Sequence, residues 1–326
     1  MVNLTTGHWV AQMIRVVAEL NIADLLKDGP RTSADLAAST GTNPDALYRL
    51  LRALASLEVF AENANGSFQL TPLSTCLRTD VPGSMRSWSR AVTAEHAWNS
   101  WPELMYSIRT GQPAYDHKYG IGIFDYFSRH PEESRIFDEA MTGFSSMEIP
   151  AVVAGYDFSG IRKLVDVAGG HGTLLCAVLK ANPEMTGVLF DMPTVIDGAR
   201  KTIEGEGLAG RCKVSGGDFF QSLPAGADAY MMKHIIHDWD DDRCVRILQN
   251  VRSAMAPGGK VLILDTVIQP GNHPDFAKLL DLAMLAISGR ERTEQQFSDL
   301  LSRAGFRLAR VTPTASAISV VEGVPL

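Results

Sequence analysis

The segment Lys233-His234-Ile235-Ile236-His237-Asp238-Trp239 runs directly into Asp240, Asp241 and Asp242, so two imidazoles and four carboxylates fall within ten residues. Residues of these types serve three chemistries: metal ligation, proton acceptance, or a charged helix start. Imidazole titrates near pH ~6.5, so a histidine accepts a proton from a weakly acidic hydroxyl at neutral pH. A metal would need His234 and His237 to converge with carboxylates beside them. The apolar run "ADAYMM" leading into the segment reads as a strand, and three residues along a strand turn a side chain to the opposite face. That places His237 just beyond the strand's carboxyl end, gives His234 a structural role and opposes a metal. The aspartates have a simpler use at the start of the helix "DDRCVRILQNVRSAM", where negative charge meets free amides and the positive end of the dipole.

A second constellation is a glycine turn. The stretch "RKLVDVAGGHGTLLCAVLKANP" carries Asp166 in a strand ending near Val167, then passes Gly169, Gly170 and Gly172 into a helix, the opening of a Rossmann-like unit. Glycines let a ligand approach the turn, and the helix N-terminus offers free amides. A dinucleotide fingerprint would need glycine at 168, 170 and 173, where the chain has Ala168, Gly170 and Thr173. The turn therefore suits a mononucleoside better than a pyrophosphate. Asp191 closes the next strand, "TGVLFD", where a carboxylate can bind ribose hydroxyls. After "RCKV" come Gly217, Asp218 and Phe219, a carboxylate beside an aromatic that can hold an adenine edge and cover its face, or serve as ordinary turn chemistry.

These groups need a scaffold, and 326 residues allow two domains with a large core. A formal charge of −7 argues against a nucleic-acid partner, and the four cysteines form no CxxC pair. No stretch has the form of an export signal or a membrane span, so the expected location is cytoplasmic. Up to about Gly155 apolar residues recur mostly at helical spacing. Thr32 or Ser33 caps a short helix ended by Gly41; Asn43 and Pro44 start a second, with Leu47, Leu50, Leu51 and Leu54 as its apolar stripe. "EVFAENANGSFQLT" then reads as a hairpin around Asn65-Gly66, completing a winged helix. Arg49 and Arg52 are thin support for DNA binding, and a packing or dimerisation module is the plainer use. An aromatic-rich helical connector follows. Later, strands and helices alternate and close in "GFRLARVTPT" and "AISVVEG", predicting a parallel sheet finished by an antiparallel hairpin. The expected domains are 1–90, a connector over 91–155, and 156–326.

Taken together, "LVDVAGGHG", "FDMPTVI", "GGDFF", "KHIIHDWDDDRC" and "GRERTEQQFSDLLSRAGF" resemble the class I S-adenosylmethionine-dependent O-methyltransferases of the caffeate, hydroxyindole and polyketide type along nearly the whole chain. The resemblance implies an α/β fold: a Rossmann-like domain with a seven-stranded, mostly parallel sheet, and an N-terminal all-α, winged-helix domain that forms a homodimer. It implies S-adenosyl-L-methionine as cofactor, S-adenosyl-L-homocysteine as product, no metal, and a small aromatic substrate methylated on a phenolic hydroxyl, with neither nucleic acid nor membrane as partner. Magnesium-dependent catechol methyltransferases resemble shorter chains without the winged helix. Carried over, the pattern makes His237 the general base, with Glu291 and secondarily Asp265 as its carboxylate partners. Asp166, Gly169, Gly170, Gly172, Asp191, Met192, Gly217, Asp218, Phe219 and Lys233 fall at the cofactor site. Met141, Phe144, Asp238, Trp239 and Met284 are expected at the substrate. Two departures stand out: Ala168 replaces a frequent third glycine, a small change at a tolerant position, and Asp265 replaces the glutamate of plant members. Other outcomes open to the same fold are C- or N-methylation, a non-methylating reaction such as hydroxylation, or a regulatory protein that uses the wing.

Overall fold

The computed structural model describes residues 1–326, which form two compact units. The first comprises Met1–Glu103 with Lys118–Met147, and the second Leu104–His117 with Glu148–Leu326. The segment 91–155, read from sequence as a connector, is thus divided between them. No helix is long and apolar enough to cross a membrane.

The first unit contains α1 (Gly7–Glu19), β1 (Arg31–Thr32), α2 (Ser33–Thr40), α3 (Pro44–Ala55), β2 (Phe60–Glu62) and β3 (Ser67–Leu70). Thr32 and Asp35 make a reciprocal capping box on α2, Gly41 ends it at a φ of 67°, and the Asn43 side chain caps α3 through the Ala46 N–H. Leu47, Leu51 and Leu54 are buried and Leu50 half-buried, so the stripe packs as its spacing predicts. In the hairpin Gly66 alone takes the positive φ, at 76°. Asn65 instead fastens the turn by accepting the Ser67 N–H at 3.1 Å and its hydroxyl at 2.7 Å. The long helix α4 (Pro131–Gly155) begins in this unit.

The second unit is built on a seven-stranded sheet. Its strands are β4 (Lys163–Val167), β5 (Thr186–Asp191), β6 (Cys212–Gly216), β7 (Ala229–Lys233), β8 (Lys260–Asp265), β11 (Phe306–Pro313) and β12 (Ser319–Pro325). The short β9 (Val267–Ile268) and β10 (Arg292–Thr293) pair separately, in parallel. The order β11-β12-β8-β7-β4-β5-β6 is parallel from β8 to β6, with β12 and β11 as the antiparallel finish. Alternate residues feed two cores. Leu164, Leu189, Met231 and Leu262 join one, with α5 (Thr173–Ala181) and α6 (Ile196–Gly205). Val165, Phe190, Met232 and Ile263 join the other, with α7 (Asp241–Ala254) and α9 (Glu294–Arg303). Helices cover both faces, which is why the strands are near-continuous apolar runs.

Two residues at the carboxyl edge lie outside ordinary strand or turn geometry. Ala168 and His234 both have a φ of 55°, in the left-handed region that a Cβ disfavours by roughly 1–2 kcal/mol. Position 168 is therefore not tolerant, contrary to the sequence reading: it favours glycine, and the alanine there is strained. Ala168→Gly is expected to raise the stability of the second unit by about 0.5–1 kcal/mol, after allowance for glycine's greater freedom in the unfolded chain. Urea unfolding of the two proteins measures it, and an equal or lower midpoint would count against strain at this turn.

Candidate active site

Because the central strands are parallel, their carboxyl ends share one edge, in the order Gly217–Phe219, Asp191, the glycine turn, Lys233 and Asp265. Asp191 ties this edge together. Its Oδ2 accepts the Gly170 N–H at 2.8 Å, its Oδ1 the Met192 N–H at 2.6 Å, and its carbonyl the Gly217 N–H at 3.0 Å. The glycines are dictated by space as well as by φ. A Cβ on Gly169 would lie 2.5 Å from Asp166 Oδ2, and one on Gly217 would lie 2.6 Å from the Phe190 ring. Asp166 is buried beneath the turn, its Oδ2 has no hydrogen-bond partner, and burial pushes its carboxyl up to about 7. Asp218 is exposed and fastens its own turn, accepting the Phe220 N–H at 2.8 Å and the Gln221 amide at 3.1 Å. Phe219 packs beside Phe220 and Trp239.

His237 lies in a short 3-10 turn after β7. Its Nδ1 is 2.8 Å from Glu291 Oε1, and Glu291 is 1% exposed. A carboxylate only accepts, so Nδ1 carries the hydrogen and Nε2 presents a lone pair. Burial pulls this imidazole down, but the Glu291 hydrogen bond, with Asp265 and Asp238 nearby, outweighs it and raises the group. Asp238 lies 3.5 Å from Nε2, and its own carboxyl is raised by burial to about 6.

The loop bearing His237 and the segment bearing Glu291 are locked together by Arg292, which is 1% exposed. Its guanidinium donates to the carbonyls of Ile236 at 2.9 Å, Trp239 at 3.0 Å and Arg290 at 3.3 Å, and to Asp241 Oδ1 at 2.7 Å. The Arg290 N–H donates to the His237 carbonyl at 2.7 Å, and the Glu291 N–H to Asp281 Oδ1 at 3.0 Å, from helix α8 (Phe276–Ala286). Asp240 caps α7 through the Arg243 N–H, so the aspartate run begins that helix as predicted, while Asp241 also serves Arg292.

His234 overturns the strand argument. The strand stops at Lys233, the left-handed φ at 234 reverses the chain, and the two histidine rings stack, with centroids 5.0 Å apart and planes at 25°. One ring nitrogen from each and an Asp265 oxygen lie within 4.8 Å of one another, so strand geometry gives no argument against a cation here. His234 Nε2 meets both Glu148 oxygens, at 2.9 and 3.0 Å, and Lys233 Nζ meets the same carboxylate at 3.1 Å. Asp265 faces His234 Nδ1 at 3.6 Å and makes no hydrogen bond to His237. Glu291 is thus the carboxylate bonded to His237.

The residues expected at the substrate are spread more widely. Met141 and Phe144 belong to the first unit, where Phe144 meets the Trp88 ring edge-on at 4.5 Å. Trp239 spends its ring on Phe220, at 5.0 Å, and on the Arg243 guanidinium, at 5.4 Å. Met284 is buried on α8, packed where a Cβ on Gly289 would go. Asp238 lies beside His237 Nε2, and the Cβ position on Gly289 that meets Met284 is also 2.5 Å from the His237 carbonyl.

Residues 101–307 match the O-methyltransferase domain and residues 2–80 the O-methyltransferase dimerisation domain. The chain belongs to the O-methyltransferase family. Phenazine O-methyltransferase of Lysobacter antibioticus is 42% identical over 100% of this chain and 96% of its own length. The 8-amino-8-demethylriboflavin N,N-dimethyltransferase of Streptomyces davaonensis is 40% identical over 96% of this chain and 91% of its own. An O-methyltransferase of neocarzinostatin biosynthesis, solved with S-adenosylmethionine and 2-hydroxy-5-methyl naphthoic acid, superposes with a TM-score of 0.82 at 34% identity, covering 97% of this chain and 96% of that one. The protein is an S-adenosylmethionine-dependent O-methyltransferase with an N-terminal dimerisation domain.

Sequence reading of this methyltransferase missed Glu148, Asp281 and the clamp at Arg292. Arg292 stood inside the quoted "GRERT", yet its partner Asp241 is 51 positions away. Glu148 is 86 positions from His234, and its one signal is a lone charge in the apolar stretch "SSMEIPAVV". Arg292→Met keeps the bulk and removes the donors. It is expected to cost about 2–4 kcal/mol of stability by leaving buried carbonyls unpaired. Methyl transfer should fall further than the unfolded fraction accounts for. Urea unfolding with turnover measured where both proteins are folded tests this, and full turnover in the folded variant would contradict it.

Proposed function

We propose that the methyltransferase methylates a phenolic hydroxyl of a small aromatic substrate as a cytoplasmic homodimer, with His237 taking the hydroxyl proton on Nε2. The observation that carries this reading is the buried Glu291 carboxylate on Nδ1, which selects the tautomer whose Nε2 accepts. A phenol with a pKa of ~10 is mostly neutral in the cell, so a base beside it raises the fraction that reacts. S-adenosylmethionine, when bound, supplies a methyl group already activated as a sulfonium. The chain's own task is then to align the two partners and remove one proton.

The carboxyl edge fits that cofactor. Gly169, Gly170 and Gly172 leave room that side chains would fill, and Asp166 offers a buried oxygen without a partner. Asp191 is placed to bind the ribose while it holds the turn, and Asp218 with Phe219 to bind adenine. Lys233 closes the same pocket. As the proton passes from the substrate hydroxyl to His237 Nε2, the Glu291 carboxylate stabilises the imidazolium that forms.

His237→Asn should lower kcat by about 10²–10⁴-fold, the usual scale of a lost general base, with S-adenosylhomocysteine affinity changed less than about threefold. Turnover assays and calorimetric titration read both, and a variant with near-normal kcat removes the base assignment. Asp191→Asn should weaken S-adenosylhomocysteine by about tenfold or more, the equivalent of ~1.4 kcal/mol, through the loosened Gly170 turn; unchanged affinity would remove Asp191 from the cofactor site. Similarity to an N,N-dimethyltransferase keeps an arylamine acceptor as the second reading. A neutral amine attacks before it loses its proton, so kcat on such a substrate would survive His237→Asn within a few-fold.

A further inference from the structure

Carboxylates crowd the proposed base. Glu291 lies on its Nδ1, Asp238 is 3.5 Å from its Nε2, and Asp265 at the end of β8 adds a third. Together they favour imidazolium, and a histidine that keeps its proton at neutral pH accepts none from a substrate. A cation must oppose them. Arg290 and Arg292 are directed at Asp241, and Lys233 at Glu148. His234 remains, and its surroundings are built for a charge.

Its Nε2 sits against both oxygens of Glu148 from α4, a carboxylate only 4% exposed. Its Nδ1 faces Asp265 Oδ1 at 3.6 Å, and neither that nitrogen nor either Asp265 oxygen has a hydrogen-bond partner, although Asp265 is 0% exposed. Neutral imidazole has one N–H and can serve one of these carboxylates; imidazolium has two and serves both. Burial and the Lys233 ammonium, which shares Glu148, oppose the charge on His234, but Asp265 and Glu148 outweigh them and raise the group. The backbone accepts a left-handed φ of 55° to put this ring 5.0 Å from that of His237.

We propose that His234 is a positioning residue that stays protonated between Glu148 and Asp265 and, stacked on His237, keeps His237 neutral and ready to take the substrate's proton. Two unit charges 5 Å apart at an effective dielectric of ~20 repel enough to lower the second proton's binding constant by roughly two to three hundredfold. The pair then titrates jointly, one proton held on His234 and the other drawn from the acceptor. Removing the His234 charge also leaves Asp265 unneutralised, and both changes strengthen proton binding at His237.

This rests on His237 being the base, and the two claims fail separately. The test is kcat/KM against pH for the full-length wild type, His234→Phe and His237→Asn with one phenolic acceptor. His234→Phe keeps a stacked ring without charge. Its acid limb should move up by at least one unit, cutting kcat/KM at pH 7 by about tenfold or more, with the high-pH plateau kept within about threefold. A uniform loss at every pH, or an unmoved limb, overturns the inference while His237→Asn remains inactive. If His237→Asn keeps turnover and the same limb, the base reading itself fails. Should His234→Phe not fold, ring ¹⁵N shifts of the two histidines in the wild type decide it. His234 protonated with His237 neutral at pH 7.5 supports the proposal, and the reverse overturns it.

Discussion

Glu291 is a carboxylate with 1% exposure, and a negative charge at that depth persists only where donors meet it. Its one side-chain partner is His237 Nδ1, at 2.8 Å, and its other oxygen has none. That single hydrogen bond sets the histidine's tautomer, and it exists only if two segments 54 positions apart are held in register. The parallel pair β9–β10, the Arg290–His237 backbone bond and the Arg292 guanidinium supply the register. A buried cation clamped on carbonyls and one aspartate is costly to remove, because an apolar replacement leaves those acceptors unpaired. Its effect is to specify one geometry for the dyad.

Around this dyad the sheet does the coarse positioning. Five parallel strands deliver the glycine turn, Asp191, Asp218, Lys233 and Asp265 to one edge, the edge where open α/β sheets bind ligands. Fine positioning comes from departures from regular geometry at that edge: the left-handed residues Ala168 and His234, and glycines where a Cβ would strike Asp166 or Phe190. The cores beneath are built of apolar side chains, whereas most of the unpartnered buried side-chain atoms of the second unit belong to Asp166, His234, Asp265 and Glu291. Unpaired polar groups thus gather at the edge proposed to meet the cofactor and the substrate.

The features legible in the sequence are local ones. Thr32, Asn43 and Asp240 cap helices through amides three residues on, so the spacing carries the structure. Strand periodicity and the order of motifs gave the sheet and its antiparallel finish. The place of Asp191 at a strand end beside the glycine turn was legible because the two have a fixed relation in this fold. What failed was non-local or conformational. His234 was read by carrying strand geometry past Lys233 as far as His237, and a single φ of 55° instead brings its ring onto that of His237. Ala168 looked harmless because composition does not report φ. Glu148 and Asp241 are joined to the site only by tertiary contacts, which periodicity cannot register.

If His237 removes the acceptor's proton, its contribution depends on how acidic that acceptor is. Methyl transfer rates for the wild type and His237→Asn would be compared over a series of phenols of matched shape with pKa from ~10 down to ~6. The account predicts a wild-type advantage of about a hundredfold or more for the weakest acid, shrinking towards unity for acceptors already ionised at the assay pH. An advantage that stays constant across the series would contradict it, since His237 would then be acting on something other than the proton.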